Sequence, residues 1–268
     1  MVYLCGRQVD GKWSLLGRET ALDKITWTAD GWPMVNNLQG PSALAKKPEL
    51  PAELQRTGCC KQDGLRCEAA QNAALPGLGL SWITVREPEE NFAEVREDGV
   101  YLLGSRDDLC EVSARNLLLQ RQTSFDFTAE TRLSFEALQD GQDAGMTCYY
   151  DENTYLKLGV FIDGGKTYLK VQEHVDNNTW DSFAVELTDA EKEIVLKCET
   201  RGLERAFSYK RRNEAEFTPL GTLPNVYYLC DEGLKRGKRF TGAMIGVYVH
   251  GNGVRVPVRY FKMTDSLK

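Results

Sequence analysis

The alternation of apolar and polar residues predicts a series of β-strands in the C-terminal two thirds of the chain. The clearest run covers residues 124–136, where Phe125, Phe127, Ala129 and every second residue after them alternate with polar or charged side chains. A period of two means that one face of the strand is buried and the other is solvated. Further runs predict strands at residues 146–150, 155–162, 168–172, 194–200, 206–210, 243–250 and 254–263.

These strands follow one another at the spacing of hairpins. The turn at residues 163–165 reads Asp-Gly-Gly, which is typical of a tight hairpin connection. Helical signals are limited to single turns at residues 190–193 and 231–235. About ten strands with almost no helix predict an all-β, antiparallel two-sheet sandwich, with a closed barrel as the alternative. Pro257 cannot donate to a β-ladder and therefore predicts a sheet edge or a bulge.

Composition divides the chain into three zones. Residues 1–45 contain short strand-like pieces at 1–7, 21–28 and 32–35. Residues 46–74 have several prolines at their start and no clear periodicity, which predicts an irregular connection. Residues 75–268 carry the sandwich pattern.

The net charge and the distribution of cysteines restrict the expected binding partners and the expected cellular location of the protein. The net charge of −6 and a pI near 5.2 argue against nucleic acid and against an anionic membrane surface. No apolar run reaches the ~20 residues that span a bilayer, and residues 1–10 do not have the pattern of a signal peptide. Several of the eight cysteines lie singly inside strand-like runs, which favours a reduced, cytoplasmic location over a disulfide framework.

Two sets of residues are of the types that form metal sites or catalytic sites. Cys59, Cys60 and Cys67 have neither a second cysteine pair nor a nearby histidine, so free thiols are favoured over a zinc site. His174 and His250, the two histidines, lack a nucleophile in a recognisable elbow, so a catalytic triad is not expected.

Two segments contain residues that could bind a ligand. In each of them the same residues could equally have only a structural role. Residues 231–240 form a charged, glycine-containing loop that is either solvated or a projecting binding loop, with Phe240 packed at its base or facing a ligand. Residues 17–33 concentrate Arg18, Glu19, Trp27 and Trp32, which suit either sugar binding or the packing of a small hairpin.

These segments resemble a known family. Residues 1–7, 16–21 (LGRETA) and 25–33 (ITWTADGWP) resemble the end of the catalytic domain of family 43 glycoside hydrolases, in the β-xylosidase branch. The rest is similar to the C-terminal concanavalin A-like sandwich of that branch. The segments that carry this second similarity are residues 75–78, 82–86, 125–136, 144–150 and 240–243 (FTGA).

The resemblance implies that residues 1–45 are a remnant of the last blade of a catalytic β-propeller. The family's acid and base carboxylates come from earlier blades, so no catalytic residue is expected here, and Glu19 and Asp30 match structural positions. Arg18 matches the arginine that reaches the sugar in the first subsite. Phe240 matches the sandwich residue whose loop closes over the mouth of the active site. Both are therefore predicted substrate-binding residues for a xylo-oligosaccharide or related pentose glycoside.

One departure from the family concerns calcium. Relatives often have acidic residues at the start and end of the sandwich, whereas this chain has Gly-Leu-Ser-Trp at residues 79–82 and Val-Pro-Val-Arg-Tyr at residues 256–260. The resemblance therefore supplies no calcium ligands here, and neither a metal nor another cofactor is expected.

Three functions remain open at this stage. The first is the C-terminal part of a β-xylosidase or α-arabinofuranosidase-like hydrolase, inactive alone and completed by a propeller, which could be a separate chain. The second is an independent, lectin-like carbohydrate-binding module. The third is a domain for oligomerisation, because exposed strands and broad sheet faces favour self-association into a homo-oligomer.

Overall fold

The computed structural model describes residues 1–39, 42, 45, 46, 49, 51, 77–188, 191–235 and 239–266. Apart from residues 46, 49 and 51, the connection predicted at residues 46–74 lies outside these ranges, together with Cys59, Cys60 and Cys67. The described residues form β-strands and short 3-10 turns, so the predicted all-β class is confirmed. Within them, no helix is long and apolar enough to span a bilayer.

The N-terminal region consists of two small antiparallel hairpins. The first pairs β1 (Val2–Cys5) with β2 (Glu19–Leu22), and the second pairs β3 (Ile25–Trp27) with β4 (Pro33–Val35). A single strand was predicted over residues 21–28. That prediction is wrong, because the chain leaves the first hairpin at residue 22 and enters the second at residue 25.

Thirteen further strands follow among the described residues. They are β5 (Ala93–Arg96), β6 (Gly99–Leu103), β7 (Leu117–Arg121), β8 (Asp126–Ser134), β9 (Asp143–Asp151), β10 (Thr154–Asp163), β11 (Lys166–Val175), β12 (Asn178–Glu186), β13 (Glu193–Arg201), β14 (Glu204–Arg211), β15 (Thr218–Leu223), β16 (Met244–His250) and β17 (Arg255–Asp265). Short 3-10 turns lie at Asn36–Leu38, Tyr227–Leu229 and Asp231–Gly233.

These thirteen strands form two antiparallel sheets. The order in the six-stranded sheet is β12-β11-β10-β9-β16-β7, and the order in the seven-stranded sheet is β15-β14-β13-β8-β17-β6-β5. Both sheets are open at their edges, so the two-sheet sandwich is confirmed and the closed barrel is excluded. The sequence pattern missed β5, β6, β7, β12 and β15, which are short or lie at or near sheet edges.

The main core lies between the two sheets. Strand β8 shows the predicted alternation, since Phe127, Ala129, Thr131 and Leu133 are buried and the residues between them are partly exposed. Side chains from the facing sheet complete this core, among them Leu158, Val171, Val247 and Ile245. Burial of this apolar surface is the dominant stabilising contribution to such a fold.

Pro257 illustrates how a central strand accommodates a proline. Strand β17 lies between β6 and β8, so the predicted sheet-edge position is wrong. At Pro257 the strand pairs only with Tyr101 of β6, and its pairing with β8 begins at Val258 and shifts register before Tyr260. The predicted bulge is therefore present just after the proline, and Pro257 itself precedes the pairing with β8, so it has no ladder partner on that side.

Candidate functional site

The N-terminal region contacts the sandwich where two glycine-containing segments meet. The backbone N–H of Ala243 donates to the carbonyl of Leu15 at 2.8 Å. A Cβ atom on Gly17 would lie 2.2 Å from the backbone nitrogen of Gly242, and Gly17 also has φ +67°. No other residue type fits so close a backbone approach. The GRETA and FTGA segments are thus in direct contact.

This contact brings Arg18 and Phe240 together. The guanidinium carbon of Arg18 lies 4.0 Å from the centroid of the Phe240 ring, which is the geometry of a cation–π stack. Arg18 is exposed, and Phe240 retains half of its possible exposure. No carboxylate among the described residues pairs with the Arg18 side chain. Because stacking uses only the face of the guanidinium, its in-plane N–H donors stay available to a ligand.

The backbone of Phe240 adopts an unusual conformation. Its φ is +58°, in the left-handed region that bulky residues rarely occupy. The carboxylate of Asp231 accepts hydrogen bonds from the N–H groups of Phe240, at 3.1 Å, and Arg239, at 3.0 Å. It also accepts a hydrogen bond from the hydroxyl of Tyr150 in β9. Asp231 therefore links the Phe240 backbone to a buried strand of the sandwich.

The side chain of Arg239 provides a second anchor for the same segment. Its guanidinium donates to Asp151 at 3.0 Å and to Glu152 at 3.3 Å, at the turn between β9 and β10. Arg86 also pairs with Glu152, at 3.0 Å. The backbone immediately before Phe240 is thereby joined to the turn between two long strands.

Glu232 connects the same 3-10 turn to the N-terminal region. Its carboxylate accepts hydrogen bonds from the backbone N–H of Ser14 at 3.1 Å and from the Ser14 hydroxyl at 2.7 Å. Burial alone would raise the pKa of Glu232, but the two donors of Ser14 outweigh burial and lower it below its ordinary value. The glutamate is thus held ionised against Ser14, which lies four residues before Arg18.

The other carboxylates near Arg18 have structural partners. Glu19 forms a two-point ion pair with Arg7, at 2.7 and 2.9 Å. The hydroxyl of Thr28 donates to Asp30 and lowers the pKa of that carboxyl group. Each carboxylate thus has its own hydrogen-bond partner within the N-terminal region.

A second polar cluster lies on the outer face of the six-stranded sheet, away from Arg18. The ammonium group of Lys157 is completely buried and donates to Asp143 at 2.9 Å and to Asp108. His250 approaches the other oxygen of Asp143 at 2.7 Å. Burial would lower the pKa of Lys157, yet the two carboxylates raise it, so the lysine remains charged.

This cluster has donor atoms of the type that bind metal ions. Oxygen atoms of Asp108 and Asp143 and a ring nitrogen of His250 lie within 4.8 Å of one another. The ammonium group of Lys157 already supplies a positive charge to both carboxylates, which is the role that a cation would have there. The residues therefore do not fit a metal site, and we assign none to this cluster.

The two histidines have ordinary structural environments. His250 pairs with Asp143, and the ring of His174 stacks on Tyr155 with a centroid distance of 4.7 Å. The Nδ1 atom of His174 lies 2.6 Å from the hydroxyl oxygen of Thr179. Among the described residues, neither histidine contacts a serine or cysteine as a catalytic base would.

The family resemblance predicts Arg18 and Phe240 as substrate-binding residues, and the structure places their side chains in contact. Neither the resemblance nor the sequence pattern predicts Asp231, Glu232, Tyr150 or Ser14 as partners of that pair. The only available signal was the charged, glycine-containing loop at residues 231–240. The residues that support Phe240 come from β9 and from the N-terminal region, and a linear pattern does not join such distant positions.

Two stacked antiparallel sheets of six and seven strands define a β-sandwich of the concanavalin A-like class. Residues 74–263 match the family model of the β-xylosidase C-terminal concanavalin A-like domain, and the chain belongs to this family.

Known proteins of this kind are similar over nearly the whole chain. A non-reducing end α-L-arabinofuranosidase of Bacteroides ovatus is 25% identical over 249 residues, covering 92% of this chain and 44% of that protein. The crystal structure of a GH43 protein of Bacillus licheniformis superposes with a TM-score of 0.86 at 29% identity, covering 98% of this chain and 50% of that one. A xylan β-1,4-xylosidase of Bacillus halodurans gives a TM-score of 0.84 at 28% identity, with coverage of 98% and 50%. The chain thus spans about half the length of these relatives.

Proposed function

We propose that this chain is the C-terminal part of a family 43 glycoside hydrolase that acts on xylo-oligosaccharides or related pentose glycosides. In this proposal, Arg18 and Phe240 form one wall of the substrate pocket. The catalytic acid and base come from a β-propeller, either joined to this chain or separate from it. The chain alone therefore has no hydrolytic activity.

The stacking of Arg18 on Phe240 is the single observation that carries this proposal. An aromatic face offers an apolar surface to a sugar ring, and the free guanidinium donors match vicinal hydroxyl groups. The pair lies where the N-terminal region meets the sandwich, so a ligand there would contact both regions. The names of the relatives, which are xylosidases and arabinofuranosidases, supply the expected class of sugar.

The first test is activity with and without a catalytic half. The isolated chain should not hydrolyse an aryl β-xyloside or an aryl α-arabinofuranoside above a heat-killed control. A single polypeptide that joins the N-terminal half of the Bacillus licheniformis protein to this chain should hydrolyse at least one of the two. Turnover by the isolated chain, or none by a folded joined polypeptide, would contradict the proposal.

The second test addresses the residues. In the joined polypeptide, Arg18→Ala should raise KM about 10- to 100-fold, because charge-assisted hydrogen bonds to the sugar are lost. Phe240→Ala should also act mainly on KM. Arg96→Ala is the matched control, since Arg96 stacks on Tyr101 at 3.9 Å in another part of the surface. If the control changed KM as much as Arg18→Ala, the assigned wall would be wrong.

Two other functions make different predictions for the isolated chain. An independent lectin-like module would give measurable heat with xylobiose or xylohexaose in calorimetry, whereas half of a pocket should give none. A domain for oligomerisation would sediment as a homo-oligomer, whereas a monomer at high concentration would exclude that function. A cytoplasmic location stays a prediction, which cell fractionation can test.

A further inference from the structure

One short 3-10 turn, Asp231–Gly233, contacts both segments that form the proposed wall. Its first residue, Asp231, accepts hydrogen bonds from the backbone of Arg239 and Phe240. Its second residue, Glu232, accepts hydrogen bonds from Ser14. Adjacent carboxylates thus bind the two segments that the Arg18–Phe240 stack joins.

The hydrogen bonds from the Phe240 segment to Asp231 hold Phe240 in a backbone conformation that phenylalanine normally avoids. A phenylalanine with φ +58° is strained, and such strain persists only where surrounding structure enforces it. The ring is half-exposed, so core packing does not hold it in place. The carboxylate of Asp231 satisfies the N–H groups of residues 239 and 240 together, which selects the conformation that points Phe240 at Arg18.

The support behind Asp231 is rigid. Tyr150 is buried in β9, and its hydroxyl donates to the same carboxylate. Burial, and then the hydrogen bond to Asp231, raises the pKa of Tyr150, so the hydroxyl remains a donor throughout the physiological range. Arg239 is fixed separately by Asp151 and Glu152.

The contact with Ser14 acts on the other partner of the stack. The carbonyl of Ser14 accepts a hydrogen bond from the N–H of Gly17 at 2.8 Å, closing a turn directly before Arg18. Glu232 holds the N–H and the hydroxyl of the same serine. The neighbouring residue Trp13 packs its ring against Tyr227, with centroids 5.1 Å apart. The start of this turn is therefore fixed to the sandwich.

We propose that Asp231 and Glu232 are positioning residues that together set the geometry of the Arg18–Phe240 stack. Asp231 fixes the backbone of Phe240, and Glu232 fixes the turn that presents Arg18. Their effect on substrate rests on the proposed function, whereas their effect on the stack does not.

Fluorine NMR of the full chain tests the effect on the stack. Incorporation of 4-fluorophenylalanine labels the ten phenylalanines, and Phe240→Leu identifies the signal of residue 240. In Asp231→Ala this signal should move toward that of the free amino acid and become narrower, while the other signals keep their positions. Glu232→Ala should move it by a smaller amount, in the direction produced by Arg18→Ala.

Asp181→Ala is the matched control. Asp181 is likewise a carboxylate that accepts hydrogen bonds from two residues, Lys170 and Gln172, but it binds only their side chains. The control should leave the signal of Phe240 unchanged. If Asp231→Ala fails to fold, Asp231→Asn, which keeps one accepting oxygen, should give an intermediate shift. An unchanged Phe240 signal in a folded Asp231 variant would overturn the positioning role.

The joined polypeptide separates this inference from the proposed function. There, Asp231→Ala should raise KM about tenfold and leave kcat within about twofold, because the wall is misplaced and the acid and base are untouched. If the Phe240 signal moves but KM does not, the positioning holds and the assignment of the wall to substrate fails. If the signal does not move, the positioning fails whatever the value of KM.

Discussion

The sandwich and the N-terminal hairpins use apolar side chains in opposite ways. In the sandwich, strands of up to 11 residues bury their apolar face against a facing sheet. In the hairpins, strands have three or four residues, and large apolar side chains are exposed. The most exposed of these are Val2, Leu4, Trp27, Trp32 and Leu38, with exposures of 62–76%.

This difference separates a region that completes its own core from one that does not. The described hairpins reach the sandwich through Leu15 and Leu16, which are buried, and through the close approach at Gly17. The sandwich should therefore set the stability of the chain, and the exposed side chains of the hairpins should contribute little to it.

Loss of Lys157 should produce the largest effect, and it lies in the sandwich. Lys157→Ala leaves the carboxylates of Asp108 and Asp143 without their cation, and we expect the free energy of unfolding to fall by about 3–5 kcal/mol. Urea denaturation followed by circular dichroism measures this change. Lys170→Ala, which removes a partly exposed partner of Asp181, should cost about 0–1 kcal/mol. Equal decreases in the free energy of unfolding in the two variants would show that the buried cluster stabilises the fold no more than an exposed ion pair does.

Gly17→Ala tests the contact between the two regions. The added Cβ would meet the backbone of residues 241 and 242, and the residue would keep a left-handed φ, so we expect a loss of about 1–3 kcal/mol. Gly31→Ala is the control, since Gly31 has φ +86° but nothing within 4 Å of its Cβ position. Hydrogen exchange at the amide of Ala243 should accelerate only in the first variant. Similar behaviour of both variants would mean that the close approach adds nothing.

Much of the sandwich could be predicted from the sequence, because alternation directly reports a strand with one buried face. Lys157 lies in the predicted strand at residues 155–162, but a linear pattern cannot show that carboxylates from other segments meet its buried ammonium group. The pairing of Arg18 with Phe240 joins positions 222 residues apart, and only family resemblance linked them. The role of Asp231 depends on a left-handed φ at Phe240, and no pattern of residues in the sequence predicts that conformation.

The two histidines should give the sandwich opposite responses to pH. The carboxylate of Asp143 raises the pKa of His250, whereas burial lowers that of His174. The stabilisation from His250 is thus complete below pH 6.5, its ordinary pKa, and is lost as pH rises through the raised value. His174 acts in the other direction, since stability falls as pH drops below 6.5 and the unfolded state takes up the proton.

Chemical denaturation between pH 5 and 9 can separate these two contributions, because they change stability on opposite sides of pH 6.5. His250→Gln should flatten the curve above pH 6.5, and His174→Gln should flatten it below. An unchanged alkaline limb in His250→Gln would contradict the coupling to Asp143. The hairpins contain no histidine, so this pH response belongs to the sandwich alone.

Trp27→Ala should have the smallest effect on stability and is the most direct test of the comparison. Trp27 is 67% exposed on β3, so its loss should change the free energy of unfolding by less than about 0.5 kcal/mol. Trp82→Ala is the matched variant in the sandwich. Trp82 is 2% exposed and packs edge-on against Phe261 at 5.2 Å, so truncation should cost about 3–5 kcal/mol. If Trp27→Ala were as destabilising as Trp82→Ala, the hairpins would belong to the core, and the contrast between the two regions would be wrong.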